Sequence, residues 1–77
     1  MAEKLLTFEW DDGKEVLKVH ANREGIDYLI DVLTRLRELP PPDHAHLMTE
    51  EWGGSELTSE KQDQDALLVN HVKLYTW

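Results

Sequence analysis

Lys4–Ala21 reads KLLTFEWDDGKEVLKVHA, two alternating runs on either side of a break. In Lys4–Trp10 the strand formers Leu6, Phe8 and Trp10 fall on one side, the pattern of a strand with one buried face. Asp11-Asp12-Gly13-Lys14 is a turn signal, since Asp tolerates tight turns and Gly13 can supply a positive φ. Glu15–Ala21 resumes the alternation, with Leu17 and Val19 on one side and Val16, Lys18 and His20 on the other. These features predict a β-hairpin.

Downstream the period changes from two to 3.6. Ile26, Leu29, Ile30, Leu33 and Leu36 recur at helical spacing, with Asp27, Asp31, Thr34, Arg35 and Arg37 between them. Asn22 is placed to cap this helix and Glu24 to favour its first turn, while Arg35 and Arg37 complement the dipole at its end. Pro40-Pro41-Pro42 stops it, because proline has no amide hydrogen and restricts the residue before it. Asp43–Trp52 (DHAHLMTEEW) reads as a third strand, broken by Gly53-Gly54-Ser55. Glu56–Asp65 is a polar connection with room for a helical turn capped by Thr58 or Ser59, and Ala66–Trp77 (ALLVNHVKLYTW) is a long final strand. The order ββαββ predicts an α+β fold, one domain over residues 1–77, with a four-stranded antiparallel sheet and one helix on one face.

Parity along the strands sorts the side chains. Leu6, Phe8, Leu17, Val19, Leu47, Leu68, Val72 and Leu74 are expected beneath the helix. The other face collects Thr7, Glu9, Val16, Lys18, Met48, Val69, Lys73, Tyr75 and Trp77 with all four histidines, His20, His44, His46 and His71. No second helix is left to cover it. An uncovered face rich in aromatics marks an interface, although an ordinary half-exposed sheet face would also carry His and Tyr.

Composition narrows the function. The 77 residues contain no cysteine, so neither a disulfide nor a thiolate nucleophile is available. A net charge of -8 repels nucleic-acid phosphates and anionic membranes and favours a basic partner, as well as serving solubility. No apolar run approaches the roughly 20 residues of a membrane span. Met1-Ala2-Glu3-Lys4 lacks the basic-then-apolar order of a signal peptide, so a cytoplasmic protein is expected. Neither Ser55 nor Ser59 lies in a nucleophile elbow, and Gly53-Gly54 has no P-loop lysine, so no enzyme is expected. His44-x-His46 with His71 is a weak metal pattern, because solvated histidines commonly look the same; no metal or other cofactor is expected. In Trp52-Gly53-Gly54, the ring either locks a sharp turn over bare backbone or meets a partner directly.

The stretch His46–Thr58 (HLMTEEWGGSELT), with the closing Leu68–Trp77 (LVNHVKLYTW), resembles the immunity protein 32 family of bacterial polymorphic toxin systems. The matching positions are His46, Trp52, Gly53, Gly54, Glu56, Leu57, His71 and Trp77. The resemblance implies a cytoplasmic, non-catalytic α+β protein that binds and neutralises a cognate toxin. The acidic charge suits a basic toxin such as a nuclease. The expected partner-binding residues are His44, His46, Met48, Glu50, Glu51, Trp52, Glu56, His71, Tyr75 and Trp77. The alternatives are a homodimeric structural or regulatory protein, or a histidine-based metal-binding module.

Overall fold

The computed structural model describes residues 3–77; Met1 and Ala2, on which part of the signal-peptide reading rests, lie outside them. The elements are β1 (Leu6–Asp11), β2 (Val16–Ala21), α1 (Arg23–Glu38), β3 (Asp43–Met48), a 3₁₀ turn (Glu50–Trp52), β4 (Leu67–Leu68) and β5 (His71–Thr76). The fold is α+β with antiparallel pairing.

The hairpin forms in the predicted place, with Leu6 opposite Ala21 and Asp11 opposite Val16. Its turn differs in detail. The left-handed residue is Glu15 (φ 53°), whose amide donates to Asp12 O at 3.3 Å, and Gly13 does not take the positive φ. Asn22 caps α1 as expected. Its Oδ1 accepts the Gly25 amide at 2.9 Å and also the Leu5 amide at 2.9 Å, so the cap ties the helix to the entrance of β1.

One four-stranded sheet was expected; the strands instead form a three-stranded sheet, β2-β1-β4, and a two-stranded sheet, β3-β5. The reason lies at Val69-Asn70, where the final strand changes partner. The Val69 amide donates to Phe8 O on one side, and Asn70 O accepts the Thr49 amide on the other. The Val69 amide and the Asn70 carbonyl are thus both paired through the step, one to each sheet, where the predicted continuous strand splits. The third strand is also shorter than predicted. It stops at Met48 because the chain winds into the 3₁₀ turn and leaves it through Gly53 at φ 92°. No helical turn forms in Glu56–Asp65.

The core is Leu6, Phe8, Val32, Leu47 and Leu57. Leu57 arrives from the long connection, where its amide bonds Met48 O and the Thr58 amide bonds Leu6 O. The helix presents only part of the predicted stripe: Leu36 is buried and Leu29 packs against the core, but Gly25 and Val32 are buried in place of Ile26, Ile30 and Leu33, which are exposed. A Cβ on Gly25 would lie 1.9 Å from Leu5 O, so glycine allows the helix backbone to touch β1 and turns the Gly25 side inward. Leu17 and Val19, expected in the core, are likewise exposed. Conversely Thr7 and Glu9, expected on the open face, are fully buried, because the connection crosses there and donates the Gln62 and Asp63 amides to Glu9. Among the described residues no helix is long and apolar enough to cross a membrane.

Candidate interaction surface

The face of the β3-β5 sheet turned away from the core is built by alternation. Leu47 is buried, so His44 and His46 point outward, and the register sets His44 opposite Tyr75 and His46 opposite Lys73. Diagonal neighbours then meet. His46 Nδ1 and His71 Nε2 are 2.9 Å apart, a hydrogen bond that needs a proton on one nitrogen and a lone pair on the other.

The rings form an unbroken series. Trp77 stacks on Tyr75 at 6.4 Å, Tyr75 lies 5.7 Å from His44, and His44 meets His46 edge-on at 4.8 Å. His46 stacks on His71 at 5.1 Å, and Trp52 stands 6.4 Å beyond His71. Lys73, which parity places on this face, adds a cation 5.3 Å over the Tyr75 ring. Desolvation by the neighbouring rings holds the His46 imidazole below its ordinary 6.5, and the charges of His44, His71 and Lys73 push the same way.

The motif residues divide into two jobs. Gly53 supplies the left-handed turn, and Gly54 lets the loop run against Met48 O, 2.6 Å from where a Cβ would stand. Glu56 faces inward and accepts the Met48 amide at 3.0 Å and the Ser55 amide at 3.3 Å. Burial opposes its charge, but those amides and Lys4 outweigh it and lower its pKa. Leu57 fills the core. Trp52 is different: its side chain stays 59% exposed. Holding the turn falls to the glycines and Glu56, which leaves the tryptophan free for contact.

Of the expected partner-binding residues, His44, His46, His71, Tyr75, Trp77 and Trp52 therefore share one surface. Glu50 and Glu51 are exposed on the 3₁₀ turn beside Trp52, and Met48 is half-buried opposite His71. Glu56 is committed to the turn. His20 is separated from the other histidines, 4.0 Å from the Glu9 carboxylate on the other sheet. Among the described residues, no three His, Cys, Asp or Glu side chains converge as a metal site requires.

No curated protein and no solved structure matches the chain. A family model does: immunity protein 32 matches residues 16–72, a span holding β2 through the start of β5 and every residue of the Trp52–Thr58 turn. The match leaves Tyr75 and Trp77 beyond its end. Covering most of the 77 residues, it establishes that the chain belongs to the immunity protein 32 family.

Proposed function

We propose that this protein neutralises a cognate bacterial toxin by binding it through the ring-lined face of the β3-β5 sheet, with no catalysis of its own and in the cytoplasm. The single observation that carries this reading is the exposed run of six rings from Trp77 to Trp52. Rigid aromatic side chains give large contact area at small entropic cost, and they dominate the energetics of protein interfaces. Family membership supports a toxin as the occupant.

The charge supports a basic toxin, such as a nuclease. Glu50 and Glu51 flank Trp52, so the rings carry an acidic margin that would steer a cationic surface toward them and pair with it on docking. Steering of this kind raises the association rate and is screened by salt.

The test is capture of the cognate toxin domain by the purified protein, measured as association and dissociation rates at rising salt. Trp52→Ala should raise the dissociation rate by about 30-fold or more, the loss typical of an exposed aromatic anchor buried on docking. Glu50→Gln with Glu51→Gln should slow association and flatten its salt dependence. Unchanged rates in the Trp52→Ala variant would remove the ring face from the interface.

A further inference from the structure

We propose that β2 and the outer flank of α1 form the interface of a two-fold homodimer, built from residues other than those of the ring-lined face. Leu17, Val19, Ile26, Ile30 and Leu33 each leave about half their surface in solvent. They fall on one side of the fold for a geometric reason. One flank of α1, carrying Tyr28 and Arg35, borders β3 in a groove, so the other flank, with Ile26, Ile30 and Leu33, lies on the side of the helix away from β3, and α1 also packs against β2. Leu17 and Val19 share the face of Phe8 and Trp10 through the hairpin register, the face on which Phe8 joins Val32 of the helix in the core.

The same two residues of β2 carry open backbone groups. β2 is the outer strand of its sheet. Phe8 O accepts from Val69 on the far side, so the Phe8–Val19 pair is one whose peptide groups point away from each other. The N–H and C=O of Val19, and of Leu17 two residues earlier, therefore face the free edge. Exposed edges of this kind are normally guarded by a lysine or proline. Here Lys18, the one cation of β2, is bonded to Asp63 and lies 3.8 Å from Asp11 on the opposite face, so nothing guards the edge on the apolar side.

Charge and area select a second copy as the occupant. Each copy carries -8, so self-association is favoured where acid is sparse. β2 contains no Asp or Glu, and the shallow hollow on the helix flank is lined by Ile30, Leu33, Thr34 and Arg37. A basic toxin finds nothing complementary there. The five aliphatic side chains expose on the order of 450 Å², over half of the roughly 800 Å² each partner gives a standard interface, before the strand edge itself is counted. Antiparallel pairing of β2 with β2 across a two-fold is self-complementary, satisfies the open peptide groups, and brings both apolar flanks together in one step.

Sedimentation equilibrium of the full chain tests the assignment. A mass twice 9.0 kDa is expected, with the dimer tightening as salt screens the repulsion between like-charged copies. This is the reverse of the salt dependence expected for toxin capture. Val19→Lys and, separately, Ile30→Glu should each weaken dimerisation by about tenfold or more while leaving the far-ultraviolet circular dichroism unchanged, since both side chains are already half in water. Trp52→Ala should leave the dimer intact. A monomer at all concentrations and salts would overturn the proposal, as would a dimer insensitive to both substitutions.

Discussion

Glu9 holds Asp63 from 54 positions away: the Oε1 of a fully buried carboxylate accepts the Asp63 amide at 2.8 Å. The same group takes the Gln62 amide and the Thr7 hydroxyl, and Lys18 closes the arrangement from outside by binding the Asp63 carboxylate. One anion thus fastens the long connection across the outer face of β1. That connection also delivers Leu57 to the core and Thr58 to β1, so its attachment matters for the whole fold.

Glu9→Gln should therefore destabilise the protein by about 2 kcal/mol, because an amide donor would face amide donors and the charge-assisted bonds would be lost. The pH dependence follows from the same geometry. Burial opposes ionisation of Glu9, but the Thr7 hydroxyl, the Gln62 and Asp63 amides and nearby His20 outweigh it, so the folded pKa lies below the ordinary 4.5. The unfolded chain then binds the proton more readily than the folded one. The stabilisation is complete above pH 4.5 and is lost as pH falls through the folded pKa. Urea unfolding across this range should show that loss in the parent protein and a smaller slope in Glu9→Gln; equal slopes would assign the acid sensitivity to other carboxylates.

Gly25→Ala reverses a familiar sign. In an open helix the change stabilises by about 1 kcal/mol. Here the new Cβ would stand 1.9 Å from Leu5 O and 2.9 Å from its carbonyl carbon, so α1 must lift from β1. A loss of about 3 kcal/mol is expected, measured by thermal or urea unfolding. A variant as stable as the parent would mean that the helix packs farther from β1 than the Asn22 cap implies.

The two glycines after Trp52 should separate in the same assay. Gly53 has open space around it but sits at φ 92°, so Gly53→Ala should cost about 1 kcal/mol and Gly53→Asn less, since asparagine tolerates the left-handed region. Gly54→Ala should cost more, about 2–3 kcal/mol, because its Cβ would meet Met48 O at 2.6 Å. Equal costs for Gly53→Ala and Gly54→Ala would contradict this division.

What could be read in advance was what is local. The hairpin follows from alternation around Asp11–Lys14, and the helix start from Asn22, because both depend on neighbours within a few residues. Parity also gathered His44, His46, His71, Tyr75 and Trp77, since a register of six paired residues in β3 and β5 preserves it without a bulge. The errors arose from distant chain. Nothing near Glu9 announces that Gln62 and Asp63 will cover it, and the split into two sheets is what separates His20 from the other histidines. Nothing in the periodicity of α1 shows that Leu5 O will lie against Gly25 and rotate the helix, exposing Ile26, Ile30 and Leu33. The split at Asn70 needed two separate partners, Phe8 and Thr49, to be known together.

The last prediction concerns the ring-lined face in the free protein. His46 is pressed by neighbouring rings and lies among His44, His71 and Lys73, each of which disfavours a further positive charge. Its pKa should fall below 6.5 in an NMR titration of the imidazole resonances, and His71→Ala should raise it by removing a stacked ring whose charge disfavours protonation of His46. The sign for stability follows: the folded state binds this proton less readily than the unfolded chain, so acidification below 6.5 disfavours the folded β3-β5 sheet. The surface offered to a partner is then aromatic, joined by the His46–His71 hydrogen bond, with an acidic margin at Glu50 and Glu51. A His46 that titrates at or above 6.5, or one indifferent to loss of His71, would mean that the rings do not stand together in solution.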